Sequence, residues 1–304
     1  MLRRLLSERQ YFEPISEYII ESVRQEQLEE EQKLDKRIKK GLFEIRKNFI
    51  ERLNEKLRID IDKQISFGLQ KEKIQWDDII GRNIVKDLLK RDLECMRHRN
   101  MHFWGPPGNG KKMMSKAYAT KGDLLYIIIS LQMIEGEQDE DYIKNISKSF
   151  EQANILGSSV LIINQIDEII KDQDLNRTNM IINELDQQLS DIDNDQRKAT
   201  VIITSNAFDG LPEQLMKHFL DHQHFDLPSL NERHQFFQRF FQEKNVPVQQ
   251  SDIDIIASST ERMSFFDLAS FGKSISNEQN ITVENILKKI QIFNQNIKPN
   301  EDEK

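Results

Sequence analysis

The stretch GPPGNGKK, Gly105–Lys112, decides the fold. Gly105, Gly108 and Gly110 leave the backbone free to turn in ways other residues resist, and a loop built this way aims N–H groups at phosphate oxygens from the start of a helix. The stretch follows the apolar run MHFW (101–104) and precedes KKMMSKAYA, which reads as a helix. That is the context the pattern G-x-x-x-x-G-K-[ST] demands; a chance glycine-rich turn is the alternative. Candidate nucleotide contacts are therefore Gly105, Pro106, Pro107, Gly108, Asn109, Gly110, Lys111 and Lys112, Lys111 reaching the outer phosphates and Lys112 helping to offset their charge. The last position departs from the pattern: Lys112 stands where a hydroxyl would ligate magnesium. Two unit charges about 4 Å apart interact by roughly 4 kcal/mol at an effective dielectric of 20, and a dication doubles that. If Lys112 turns outward instead, the metal is not repelled but still lacks its ligand.

Outward from the loop, short apolar runs alternate with amphipathic segments from WDDIIG (76–81) onward, which is the signature of a parallel sheet wrapped by helices. MHFW (101–104), LLYIIIS (124–130), VLIIN (160–164), TVIITS (200–205) and HFDL (224–227) are the expected strands. DEDYIKNISKSFEQANILG opens with acidic residues and closes at Gly157, as a helix should. In VLIINQIDEI the end of the strand carries Asn164 and Gln165, where a phosphate-loop site has an Asp for the metal and a Glu for water. Amides of nearly the same shape keep the packing but offer neither negative charge nor a basic oxygen. Registering Asp167 and Glu168 as the acid pair is the alternative, but they lie a further turn beyond Ile163.

The chain has 304 residues, 38% of them hydrophobic, enough for a packed core. A net charge of -8 argues against general binding of nucleic acid or anionic membranes, which rests on clustered positive charge. The lone Cys95 forms no intrachain disulfide. The longest apolar runs, YIII and VLII, fall far short of the roughly 18 residues that span a bilayer, so no transmembrane segment is expected. The opening MLRRLL is basic and amphipathic, as a mitochondrial leader is, although Glu8 and Glu13 soon follow. Ile38, Leu42, Ile45, Phe49, Leu53 and Leu57 recur at helical spacing and form a stripe that needs a partner, while RQEQLEEEQK upstream reads as an exposed helix or a spacer. From Leu230 the pattern is helical again, and NIKPNEDEK at the end reads as disordered.

Together, WDDIIG, GPPGNGKK, the strand ending in NQID, the TSN strand and the helices that follow resemble an AAA-type ATPase module over Trp76–Asn294. RNMHFWGPPGNGK, FEQAN, SNAF and FDLPSLNERHQFFQRFF resemble more narrowly the mitochondrial inner-membrane AAA ATPases with an N-terminal coiled coil, ATPase family AAA-domain-containing protein three. The resemblance implies an α/β fold: a five-stranded parallel P-loop sheet with helices on both faces, a C-terminal helical lid and an N-terminal helical arm. The expected divisions are an arm over 1–75, an AAA-like domain over 76–228, a lid over 229–296 and a disordered tail over 297–304. It also implies that Ile79, in the turn Asp78–Gly81, contacts the adenine and that Asn206 is the polar sensor of attacking water. By the same resemblance His218 replaces the arginine finger, and Phe265, in RMSFF, replaces a lid glycine beside the nucleotide.

With metal acid, catalytic base and finger all replaced, no catalytic residue and no metal site are expected. A metal cluster of His218, His222 and His224 lacks further ligands to complete it. The expectation is a catalytically inactive, pseudo-ATPase accessory subunit of a large mitochondrial inner-membrane assembly, respiratory chain or ATP synthase, on the membrane or its matrix side. It would be attached through its N-terminal helices to other protein subunits and hold at most ATP or ADP without magnesium. The alternatives are a non-hydrolysing regulatory subunit of a hetero-oligomeric AAA ATPase and an active remodelling enzyme with unorthodox metal chemistry.

Overall fold

The computed structural model describes residues 73–95, 99–136, 138–156, 158–171, 174–194, 199–244, 246, 248–276 and 283–296, with Gly41 as an isolated position. The chain divides into two units, Met1–Gln64 and Ile65–Lys304, and the second carries the sheet and its helices. The stripe from Ile38 to Leu57, the C-terminal tail and Gly157 lie outside the described residues.

Five short strands among the described residues form one parallel sheet: β1 (Met101–Trp104), β2 (Leu125–Ile129), β3 (Ser159–Ile163), β4 (Thr200–Ser205) and β5 (Asp221–His224). Their order is β2-β3-β4-β1-β5. The central strands are almost wholly buried, as a sheet covered on both faces requires; SVLII and TVIITS therefore read as continuous apolar runs rather than alternating ones. In register, Trp104 faces Ser205 across β1 and β4, and Ile129 faces Ile163 across β2 and β3. The C-terminal ends of β1, β3 and β4 thus open on one edge, the crevice where α/β sheets bind ligands.

Helices α1 (Asn83–Glu94), α2 (Lys111–Lys121), α3 (Leu131–Ile134), α4 (Asp139–Leu156), α5 (Ile166–Ile170), α6 (Leu175–Asn194) and α7 (Glu213–Met216) alternate with the strands. The acidic first turn of α4, Asp139 to Asp141, complements the positive end of its dipole. One core joins Leu89 of α1 and Met114 and Tyr118 of α2 to Phe103, Ile162, Ile202 and Phe225. Beyond the sheet, α8 (Leu230–Glu243), α9 (Gln250–Ser258), α10 (Phe265–Ser276) and α11 (Val283–Asn296) enclose a second core of Phe237, Phe241, Ile256, Leu268 and Phe271. A capping box starts α8: Ser229 Oγ accepts from the Glu232 N–H, and the Glu232 carboxylate accepts from the Ser229 N–H.

The fifth strand differs from the expectation. It is DHQH, Asp221–His224, not HFDL, which begins at its last residue. As the edge strand it pairs with β1 alone, so its outward residues stay polar and hydropathy does not reveal it. The apolar signal came from Phe225, whose N–H still donates to the Trp104 carbonyl at 2.7 Å while its ring packs against Phe103 under the sheet edge.

Candidate functional site

The loop between β1 and α2 has the backbone its glycines allow. Gly105, Gly108 and Gly110 sit at φ +130°, +79° and +88°, in the region that favours glycine. At Gly105 a side chain would also collide with the Phe225 carbonyl, so β5 can close against the loop only over a bare Cα. Gly110 caps α2, whose N-terminus opens on the crevice.

Lys111 is buried and turns back on its own loop, its Nζ donating to the Gly105 carbonyl and, at 2.9 Å, to the Pro106 carbonyl. Burial pulls its pKa down to about 8, the Asp167 carboxylate opposing that shift and the Arg82 guanidinium adding to it. Lys112, by contrast, is exposed at the mouth of the cleft.

At the end of β3 the two amides bond to each other. Asn164 Nδ2 donates to Gln165 Oε1 at 3.0 Å, and the Thr204 hydroxyl of β4 donates to Asn164 Oδ1 at 3.3 Å. The Gln165 N–H in turn donates to Thr204 Oγ1 at 2.8 Å, with Gln165 at φ 55°. Its side-chain amide donates to Glu168. Amide and hydroxyl groups thus satisfy one another where carboxylates would face a metal. Asp167 is buried on α5, where its Oδ2 accepts the Asn206 N–H at 3.2 Å and its charge favours the Lys111 ammonium. Neither Asp167 nor the exposed Glu168 is among the described residues that line the cleft.

His218 also turns inward. Its Nε2 lies 2.8 Å from Asp186 Oδ1 on α6, and His222 faces His102 instead, with Nδ1 atoms 3.3 Å apart. These two histidines of the trio have separate partners and do not converge.

A cleft of about 830 Å³ joins the places the sequence singled out: Ile79, the loop from Pro107 to Lys112, and Asn206. Gly105 and Pro106 lie behind its wall, where their carbonyls hold Lys111. Asn164, Gln165 and Thr204 close the sheet side, and Phe265 lines the lid side without filling the space. The lid is bonded to the loop directly: the Phe266 N–H donates to the Gly108 carbonyl at 3.0 Å, and the Phe265 N–H to Asn109 Oδ1 at 3.4 Å. Two lining cations were not foreseen, Lys116 on α2 and Arg82 just after Gly81. A one-turn spacing from Lys112 signals the first; nothing in the sequence signals the second. The cleft suits a polyphosphate ligand of nucleotide size, through loop N–H groups and lysines, and among its described lining residues Asp78 is the one carboxylate.

A parallel sheet with a glycine loop after β1 and polar residues at the ends of β3 and β4 defines a P-loop nucleotide-binding domain. Residues 101–227 match the family model described as "ATPase family associated with various cellular activities (AAA)". The chain therefore carries an AAA domain. Among solved structures, the fold matches the crystal structure of the FIGL-1 AAA domain in complex with ADP, with a TM-score of 0.63 at 17% identity over 77% of this chain and 88% of that one. Among curated proteins it is similar to spastin of Anopheles gambiae, 24% identical over 223 residues, covering 68% of this chain and 27% of that protein. Spastin of Dictyostelium discoideum is 24% identical over 225 residues, 69% of this chain and 34% of the relative. Protein SAP1 of Saccharomyces cerevisiae is 25% identical over 237 residues, 66% and 26%. The matched region thus spans about a quarter to a third of the length of these relatives.

Proposed function

We propose that the AAA domain of this chain binds ATP or ADP without magnesium, does not hydrolyse it, and serves as a docking body in a larger protein assembly. The observation that carries this reading is the closed bonding of Asn164, Gln165 and Thr204. Neutral amides bring no negative charge to hold a dication and no basic oxygen to take a proton from water. Loss of a general base costs about 100- to 10,000-fold and loss of an arginine finger about 1,000- to 100,000-fold. These factors are not additive, but both places are changed here. Retained binding is supported by the open cleft and by the ADP named for the structurally similar FIGL-1 domain.

The host is proposed to be a mitochondrial inner-membrane complex, of the respiratory chain or ATP synthase, with residues 1–75 as the attachment. This part is supported by the narrower sequence resemblance and by the apolar stripe from Ile38 to Leu57, whose spacing calls for a partner. No described helix is long and apolar enough to cross a membrane, so association through protein subunits is the form proposed.

Phosphate release by the full chain with magnesium, and thermal shift with millimolar ADP in EDTA, test the reading. The expected result is a thermal shift without phosphate release. Turnover of about 1 per second, in the ordinary enzyme range, overturns the inactive reading, and absence of any shift overturns the nucleotide reading. Affinity capture of the tagged chain tests the host: subunits of one inner-membrane complex in fixed ratio are expected, and a monomeric chain in gentle detergent extracts overturns it.

A further inference from the structure

Arg82 ties its turn to the lid through its backbone N–H, which donates to Glu232 Oε1 at 3.2 Å, and that bond leaves the place of its side chain unexplained. It follows Gly81 in the turn that leads into α1 and holds a left-handed backbone at φ 55°, uncommon for a residue with a side chain. Its guanidinium lies between two rings, 5.5 Å from the centroid of Phe225 and 5.8 Å from that of Phe265, and it lines the same cleft as the phosphate loop. Nη2 donates to the Asp226 carbonyl, but the Nε–H is buried without a hydrogen-bond partner. Proteins rarely leave such a donor unmet, and each exception calls for an explanation, a functional role or a missing ion among them.

Its charge poses the same question. Burial destabilises the guanidinium, and the nearby Glu232 and Asp226 carboxylates offset only part of that. Arg82 is in turn one of the groups that disfavour a charged Lys111, so the two cations repel within one cleft. An anion between them relieves both. In an ordinary site of this kind magnesium neutralises the phosphates; here Asn164 and Gln165 bring no charge to hold it, which leaves the neutralising task to cations of the chain.

We propose that Arg82 is a ligand-contacting residue of this cleft, its guanidinium donating to a phosphate oxygen of a metal-free nucleotide held on the Gly105–Lys111 loop. The inference rests on the proposed nucleotide binding and adds to it the residue that replaces the metal's charge.

The test compares the full-length chain with Arg82→Met, which keeps the apolar stem, and Arg82→Lys, which keeps a charge without the planar donor fork. Binding of ADP, ATP and inorganic tripolyphosphate is measured calorimetrically in EDTA, beside thermal unfolding of the unliganded proteins. Arg82→Met is expected to weaken all three ligands about 10- to 100-fold, the worth of a charge-assisted hydrogen bond, and Arg82→Lys less. Unliganded, Arg82→Met is expected to unfold near the wild-type temperature, loss of the Nη2 bond to the Asp226 carbonyl being offset by removal of the unmet Nε–H. Nucleotide binding by wild type that Arg82→Met leaves unchanged overturns the role of Arg82 alone. Nucleotides weakened with tripolyphosphate unaffected moves the contact to base or ribose and overturns the phosphate assignment. A lower unfolding temperature with unchanged affinity makes Arg82 structural. Failure of wild type to bind any of the three overturns the nucleotide reading itself, and the inference with it.

Discussion

His218 Nε2 stands 2.8 Å from Asp186 Oδ1, and Lys217 Nζ reaches the same oxygen at 2.8 Å. The side chain at the place that the sequence resemblance assigns to an arginine finger is therefore buried and bound to α6. The Lys217 ammonium and the His218 imidazole together draw the Asp186 carboxyl down to about 2. The geometry makes His218 a stabilising residue.

His218→Ala is expected to lower unfolding stability by about 1 kcal/mol, the ordinary worth of one hydrogen bond plus a small loss of packing, read as a shift in urea midpoint. His218→Arg restores the finger's residue type, yet no phosphate release is expected, because Asn164 and Gln165 still provide neither metal charge nor base. Release from His218→Arg alone would show that the amides are not the barrier.

Restoring the acids separates metal binding from hydrolysis. In Asn164→Asp, Gln165→Glu the side-chain amide donor of Asn164 disappears and two carboxylates meet where Asn164 Nδ2 now bonds Gln165 Oε1 at 3.0 Å. Like charges at that range repel, so the double variant should unfold about 1–3 kcal/mol more easily in EDTA and recover when magnesium and ATP are added. Wild type should gain nothing from magnesium. Calorimetry with and without EDTA checks both, and a magnesium-dependent rise in wild-type affinity would count against the metal-free site.

Much of this site was legible in the sequence, for a physical reason. Glycine-bearing phosphate loops need particular residues at fixed spacing, so Gly105 to Lys111 announced themselves, and the amides at 164 and 165 stood out because chemistry there demands acids. Buried parallel strands were plain as apolar runs. Edge strand β5 was not, since an edge is free to be polar, and Phe225 drew attention away from it. The inward turns of Lys111 and His218 and the place of Arg82 depend on side-chain direction and long-range neighbours, Asp186 lying 32 residues from His218. Spacing carries no such information.

His102 makes stability depend on mild acid. It is fully buried; its Nε2 lies 2.7 Å from Ser205 Oγ, whose hydroxyl donates to the Ala207 carbonyl at 2.6 Å. The Nε2–H is thus the donor to Ser205, and Nδ1 accepts from His222. Burial, then His222 and Lys111, pull the His102 pKa from 6.5 to about 4. Below pH 6.5 the unfolded chain takes up the proton first, so the contribution is whole above 6.5, declines as pH falls, and is gone below about 4. The gap corresponds to about 3 kcal/mol. Urea midpoints across this range should drop for wild type and drop less for His102→Phe; parallel curves would rule the histidine out.

Lys111 sets an alkaline limit on ligand binding. With its pKa near 8, the ammonium is charged at neutral pH and discharges above that, whereas the unfolded chain keeps its proton to 10.5. The unliganded fold should therefore gain stability from pH 8 to 10.5 as the buried charge is lost. Nucleotide affinity should move the other way, level below pH 8 and falling above it, because phosphate needs the ammonium. Opposite slopes from the same preparation, absent in Lys111→Met, are the signature of this group.

Gly108 ties the lid to the loop and gives the sharpest test of their coupling. Its carbonyl accepts from the Phe266 N–H at 3.0 Å, and its Cα sits so close to α10 that a Cβ would lie 2.7 Å from Ser264 Oγ and 2.8 Å from Phe266 Cβ. Phe266 cannot yield easily, since its Cβ is fixed to the first turn of α10, although the residue is 68% exposed. Ser264 is held too, its Oγ donating to Asp267 Oδ2 at 2.6 Å. Gly108→Ala adds the cost of a left-handed backbone, about 1–2 kcal/mol, to that collision. The lid start should lift from the loop, raising hydrogen exchange at Phe265 and Phe266, whose N–H groups the loop now holds. Exchange elsewhere in the lid should stay slow, because Phe237, Phe241 and Phe271 form a core of their own. Unchanged exchange at 265 and 266 would mean that the contact is incidental and that the lid is held elsewhere.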